Sequence, residues 1–409
     1  MTSTRERQDL RTTIIQAIDD ASAELIDLSK FIHDNPEVAM QEVMASEAAA
    51  DFLQARGFSV ERGVADLPTA FRATMGSLGG PNIAFLAEYD ALPGVGHGCG
   101  HNLIAIAGIG AGIGLAPAME STTGTVTVFG TPAEEAIGGK VLMAEAGLFT
   151  GFDAALGAHP RTIEAECPTI EGSGMSLACQ GIRIEFRGKA AHAAADPHNG
   201  INALNAVIET FNGINALRQQ FKSDARVHGI ITDGGAAANV IPDYAAAEFL
   251  VRGSTLKYVN ELVEHVRRIA EGAALITGAK LGFSFPEKAN FDMVTNYTLA
   301  RELKANLDAV GMTLPEAKAK EGTGSTDWGN VSYIVPSVET SYPILDRVCT
   351  WHSQEVVEAA DSELGYANTF LTAKAMALTG YEVLTNPSLR EAIKVEFEAA
   401  IEARGGLPA

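Results

Sequence analysis

From Thr12 to Ile32, apolar residues return every three or four positions: Ile14, Ile18, Ala21, Leu25, Leu28 and Ile32. That spacing lines one face of a helix and predicts an amphipathic element with a buried stripe. The pattern stops at His33-Asp-Asn-Pro-Glu37, because Pro36 disfavours helical backbone in the residue before it. A second helix is predicted from Glu42 to Arg56, closing at Gly57. Beyond it the period changes. Ala70–Thr74, Ile83–Ala87, the β-branched Gly124–Phe129 and the small-residue run Ala154–Ala158 have the length and character of buried strands. Leu103–Met119 and Gly139–Ala146, lying between these runs, read as helices. Strands alternating with helices predict an α/β fold, a mainly parallel sheet with helices on both faces.

Near Gly172 the texture changes again. Ile182-Arg-Ile-Glu-Phe186 alternates as a strand with one wet face does. A helix follows at about Gly200–Phe221, then strands near Val227–Ile231 and Tyr244–Val251, a helix at Leu256–Thr277 and a strand at Lys280–Phe285. The order β-α-β-β-α-β is the ferredoxin-like signature. The expectation is therefore a main domain formed by residues 1–176 and 291–409, interrupted by an α+β domain at 177–290. The main domain resumes with a helix at Tyr297–Val310 and finishes with a strand near Val338–Ser341 and a helix at Ser362–Leu378.

Composition narrows the class. A chain of 409 residues exceeds one ordinary core, in keeping with two domains, and 46% hydrophobic against 20% charged residues describes a soluble globular protein. The net charge of −21 argues against nucleic acid or an anionic membrane as partner, since both need Lys/Arg patches. The four cysteines show no disulfide-framework spacing, and Met1–Arg11 is polar, without the apolar core of a signal peptide. A reducing, cytoplasmic location is expected. Leu103–Met119 is apolar but Gly-rich and short for a bilayer span, so it reads as a buried helix.

The chemistry gathers at the predicted strand ends. After Ile83–Ala87 comes a Pro/Gly-rich loop holding His97, Cys99 and His101, where flanking glycines let the backbone turn tightly. Thiolate and imidazole are transition-metal ligands, and loops at the carboxyl ends of strands are where open α/β sheets place their sites. Glu134 and Glu135, His159, and His352 follow other predicted strands. Each alone has an ordinary explanation: a buried thiol, a strand-end histidine, a surface histidine, a solvated acidic pair at a helix start. Together they suit one or two divalent metal ions with a carboxylate to spare. Metal-assisted hydrolysis needs that division, because the cation acidifies a water and a neighbouring acid takes its proton. Cys, His and Glu suit zinc; manganese, cobalt and nickel are compatible. Cys99 has no C-x-x-C partner, Gly108–Gly114 lacks the dinucleotide spacing, and Ser325 lies in no G-x-S-x-G elbow, which disfavours redox, nucleotide and serine-hydrolase readings.

Ala87-Glu-Tyr-Asp-Ala-Leu-Pro93, Gly98-Cys-Gly-His-Asn102, Gly130-Thr-Pro-Ala-Glu-Glu135 and Gly157-Ala-His-Pro160 occur in one order, with Gly188-Lys-Ala-Ala-His-Ala193, Asn239-Val-Ile-Pro242 and Gly324-Ser-Thr-Asp327 after them. This set, spanning nearly the whole chain, resembles the metal-dependent amidohydrolase and peptidase family of aminoacylases, p-aminobenzoyl-glutamate hydrolase and auxin-conjugate hydrolases. The resemblance implies Cys99, His101, Glu135, His159 and His352 as metal ligands, Glu134 as general base and Asp90 as a carboxylate orienting a ligand. It also implies that the inserted domain is a lid that dimerises. There His192 would reach the partner subunit's oxyanion, while Asn239 and Arg252 would bind substrate; a structural ion pair is the alternative for Arg252. Tyr89, His97, His198 and His228 are read as structural.

Two departures stand out. Many members carry His-x-Asp where this chain has Glu88-Tyr-Asp90, so a usual histidine ligand is missing, as in the cysteine-bearing subgroup. Asn102 stands where the auxin-conjugate branch has Asp, which makes the p-aminobenzoyl-glutamate hydrolase branch the nearer likeness. The implied activity is hydrolysis of the amide bond of a small N-acyl or N-aroyl amino acid or dipeptide by a homodimer. Hydrolytic deamination of an aromatic amine, or a non-catalytic small-molecule-binding protein, are the alternatives.

Overall fold

The Ile14–Ile32 stripe lies on helix α1 (Thr4–Asp34) and is buried along its length. The computed structural model describes residues 4–319 and 324–407. After α1 come α2 (Val43–Gln54), β1 (Ser59–Arg62), β2 (Phe71–Ser77), β3 (Asn82–Glu88), α3 (His101–Leu115), β4 (Gly124–Thr131), α4 (Gly139–Glu145) and β5 (Ala154–Arg161). The inserted region supplies β6 (Ala178–Arg187), α5 (Ala203–Leu217), β7 (Arg226–Asp233), β8 (Tyr244–Gly253), α6 (Leu256–Thr277) and β9 (Lys280–Ser284). The chain then adds α7 (Tyr297–Ala309), α8 (Trp328–Ser332), β10 (Ser337–Pro343), α9 (Gln354–Ala359), α10 (Glu363–Thr385) and α11 (Pro387–Ala403).

These elements divide into two units, one of Met1–Met175, Met293–Lys320 and Asn330–Ala409, the other of Ser176–Asp292 with Glu321–Gly329. The first holds a six-stranded sheet in the order β1-β2-β4-β3-β5-β10. β4, β3, β5 and β10 run parallel, while β2 and β1 complete one side antiparallel. Every residue of β4 is buried, as a strand covered on both faces requires. Every residue of α3 is buried too; together with the turn that follows it to Glu120 it forms the one helical span long and apolar enough to cross a membrane among the described residues, and its burial makes it a core helix. α1, α3 and α10 share one apolar core with β3, β4 and β5.

Glycine lets α3 lie that close to the sheet. A Cβ on Gly108 would stand 2.4 Å from the Leu86 carbonyl oxygen, and one on Gly112 2.3 Å from Val128 Cγ2. The backbone carbonyl cannot swing aside as a side chain can. Gly108→Ala is expected to cost about 1–3 kcal/mol through overpacking, read as a lowered midpoint in denaturant titration with unchanged slope.

The second unit is antiparallel throughout, with strand order β7-β8-β6-β9, and α5 and α6 bury Val207, Ile214, Val259 and Val266 against Ile182, Ile184, Phe186 and Val251. Its limits differ from the expected 177–290. Residues 324–329, expected in the main domain, go with the second unit, where the Gly324 carbonyl accepts from the Leu177 amide at 2.7 Å. Other differences concern elements, among them the short helices α8 and α9, which carry no periodic signal. β1 was not anticipated, because Ser59–Arg62 is a short, largely exposed edge strand with no apolar signal. α10 runs on to Thr385, and α11 follows it at once, its cap made by the Asn386 side chain accepting from the Leu389 amide.

Candidate metal centre

The parallel strands of the first unit deliver their carboxyl ends to one place. β3 ends at Glu88, and the chain passes through Tyr89 and Asp90 into the glycine loop. Gly100 takes a left-handed conformation (φ 75°) that turns the loop into α3, so Cys99 and His101 flank the turn. β4 leads to Glu134 and Glu135, β5 carries His159, and the loop after β10 carries Trp351 and His352. Ala133 and His352, both on these loops, hold positive φ (60° each), a strained conformation for residues with a side chain.

The donor atoms meet. Cys99 Sγ lies 3.4 Å from His352 Nε2 and 3.7 Å from His159 Nε2, and Glu135 Oε1 lies 3.5 Å from His352 Nε2 and 3.9 Å from His101 Nε2. Ligands about 2.1–2.3 Å from a tetrahedral ion are about 3.4–3.8 Å apart, so these spacings match donors sharing a cation. Three groups have all their ligand atoms within 4.8 Å of one another: Cys99 with His101 and His159, Cys99 with Glu135 and His352, and His101 with Glu134 and Glu135. Cys99, His101 and Glu135 each belong to two groups, and of these only the thiolate and the carboxylate could be shared between two ions. The orphaned atoms point the same way. His101 Nε2 and Glu135 Oε1 are buried without a hydrogen-bond partner, a costly state unless a cation binds them.

Asp90 sets the geometry. Its Oδ1 lies 3.0 Å from His101 Nδ1, and its Oδ2 accepts from the Glu135 amide at 3.0 Å, so one carboxylate aims a ring and anchors a loop. Burial alone would push Asp90 up and His101 down. Their mutual attraction outweighs it, leaving Asp90 below and His101 above its ordinary value. Burial, helped by Arg161, holds the His159 ring below its usual pKa and hence neutral, the ligating form; its Nδ1 pairs with the Pro160 carbonyl at 2.7 Å, leaving Nε2 for the centre. Burial raises the Cys99 thiol to about 12, so its thiolate needs a bound cation for charge balance. The donor set fits a divalent metal.

Comparison with known proteins agrees. A peptidase dimerisation domain matches residues 179–277. The Xaa-Arg dipeptidase of Mus musculus is 36% identical over 416 residues, covering 98% of this chain and 95% of that protein. The chain belongs to the M20 family of metal-dependent amidohydrolases. A p-aminobenzoyl-glutamate hydrolase chain from Escherichia coli is 29% identical, over 97% of this chain and 96% of that protein. The fold is shared with an aminobenzoyl-glutamate utilization protein from Klebsiella pneumoniae (TM-score 0.68, 16% identity, 91% and 98% of the two chains). It is shared too with a dinuclear metal-binding M20 peptidase from Bacillus subtilis (TM-score 0.65, 22% identity, 88% and 99%).

Of the residues singled out in the sequence, Asp90, Cys99, His101, Glu134, Glu135, His159 and His352 converge in the first unit of this M20 protein. His192, Asn239 and Arg252 lie in the second. His192 is exposed, its Nδ1 accepting from the Ala194 and Ala195 amides at 3.2 and 3.1 Å, and its backbone forms an isolated bridge with Val240, next to Asn239. Arg252 donates through Nη1 to Ser325 Oγ at 3.2 Å, while its Nε is buried without a partner. His97 stays outside the donor set: its Nε2 pairs with the Ile32 carbonyl at 3.0 Å, and burial lowers its pKa to about 3.

Four neighbours of the centre escaped the sequence reading. Trp351 Nε1 donates to Cys99 Sγ at 3.2 Å. Glu88 and Lys140, both fully buried, pair at 2.8 Å. Glu42, also buried, accepts from the Ala133 amide and the Thr69 hydroxyl, each at 3.0 Å, and so tethers the strained loop carrying Glu134 and Glu135. No motif marks Glu42, because its partners are remote in sequence. Glu42→Ala strands that amide and is expected to cost about 1–3 kcal/mol in thermal or denaturant unfolding. It should also weaken divalent-metal affinity about 10-fold by calorimetry.

Proposed function

We propose that this chain hydrolyses the amide bond of a small dipeptide, or of an N-acyl or N-aroyl amino acid, with Glu134 carrying the proton. The observation behind this is the meeting of five donors of the right chemistry with a further carboxylate, Glu134, grouped with His101 and Glu135. A divalent cation held by Cys99, His101, Glu135, His159 and His352, zinc or manganese in this proposal, supplies a Lewis acid for the carbonyl and acidifies water. Glu134 takes the proton of the attacking water and returns it to the leaving nitrogen, while Asp90 keeps His101 and the Glu135 loop in place.

In the second unit, His192 would donate to the oxyanion in the partner subunit's site, and Asn239 and Arg252 would hold substrate, the planar guanidinium matching a carboxylate. The homodimer would form through this unit, whose edge strand β7 leaves Ile230 and Ile231 exposed. A cytoplasmic location belongs to the same proposal. Similarity to an Xaa-Arg dipeptidase supports a dipeptide as the first substrate to try. The test is release of free amine from a panel of Xaa-Arg and other dipeptides, N-acetyl amino acids and N-benzoyl amino acids, with zinc or manganese and then with chelator. Chelator-sensitive cleavage of at least one class is expected. A fully metal-loaded protein that cleaves no amide in the panel would overturn the proposal.

A further inference from the structure

We propose that Glu88 is a sixth protein donor to the metal centre, held by Lys140 on one oxygen and facing the ion with the other. This rests on the centre assigned above and adds to its ligands. Glu88 is 1% exposed, and its Oε1 sits 2.8 Å from the Nζ of Lys140, which is wholly buried on α4. Its Oε2 has no hydrogen-bond partner and lies 3.5 Å from His101 Nε2, itself buried and unpartnered. With Nδ1 engaged by Asp90, Nε2 is the His101 atom left to face Glu88. At 3.5 Å in a buried site, this oxygen and this ring nitrogen need a positive charge between them, either a proton on Nε2 or a cation that both can bind. The 3.5 Å separation falls within the spacing of two ligands on one ion.

Strand geometry agrees. Side chains alternate along an extended chain, so Glu88 and Asp90 project to one side while Tyr89 projects to the other, its hydroxyl donating to the Thr69 carbonyl. Glu88 thus stands two residues before Asp90, on the same side of the chain. A carboxylate at this place brings a charge that imidazole does not, and Lys140 supplies the counter-charge. The pair places a positive charge beside a carboxylate that burial would otherwise leave without a partner on either oxygen.

The test is calorimetric titration of the metal-stripped protein with Zn²⁺ alone, with metal content measured after dialysis and oxygen donors counted by X-ray absorption. Glu88→Gln should lose one bound equivalent or bind at least ~10-fold more weakly, with fewer oxygen donors. Lys140→Met should keep the stoichiometry, because it removes a cation and no ligand. The double variant Glu88→Gln/Lys140→Met removes both charges of the pair together, which guards against misfolding, and should reproduce the metal loss. A Glu88 that serves only the ion pair would lower the melting temperature in both single variants without changing zinc stoichiometry or affinity. That result overturns the proposal and leaves the five-donor centre intact. Failure of the unsubstituted protein to bind zinc or manganese would overturn both.

Discussion

Glu134→Gln is expected to lower kcat at least ~10³-fold while the protein binds metal as before. A positioned general base contributes about 10²–10⁴-fold, and in the proposed mechanism Glu134 also returns the proton to the leaving group, so both halves of the reaction would lose it. Glutamine keeps the size and the polarity but has no basic oxygen. Glu134 is half-buried on the turn after β4, in the donor group with His101 and Glu135, and is not among the five proposed ligands. Metal content should therefore stay at the unsubstituted level while turnover collapses. Near-normal kcat would remove Glu134 from its role. A parallel fall in metal content would make it a ligand instead.

Cys99→Ala is expected to have the larger effect on the metal itself. Cys99 belongs to two of the three donor groups, so its loss breaks contacts to His159 and to His352 at once. Loss of an outer partner costs about 10–100-fold in affinity; loss of a shared thiolate should exceed ~100-fold and remove bound metal on dialysis. Stability of the metal-free protein should change little. A thiol whose pKa burial raises to about 12 is neutral there, and alanine replaces it with little change in charge. The expected signature is a metal-free melting temperature close to that of the unsubstituted protein, with most of the stabilisation by added zinc gone, since a ligand stabilises only in proportion to its binding. A Cys99→Ala protein that retains its metal would show the thiol to be packing alone.

Much of this was legible in the residues because the signals were local. The α6 range follows from its own periodicity and ends, with Thr255 accepting from the Tyr258 amide at one end and Gly278 in the left-handed conformation at the other. Cys99 and His101 are one glycine apart, so their meeting needs only the turn at Gly100. Elements whose reason is remote were harder to see. β1 is polar and exists because β2 offers it an edge. Residues 324–329 join the second unit through contacts such as Gly324 with Leu177, which no pattern in either segment announces.

Periodicity, turn residues and the run of donor-bearing motifs were enough to determine, from the chain alone, an α/β unit with a mainly parallel sheet, an α+β insertion and the residue types of a metal-dependent hydrolase. Those properties are local, written in spacings of two, three or four residues. Only the tertiary structure decided that Cys99 and His352 approach within 3.4 Å, that Glu42 holds the Ala133 amide, and that Lys140 neutralises Glu88 beside His101. Such contacts join segments far apart along the chain, and they form because parallel strands must all present their carboxyl ends on one side of the sheet.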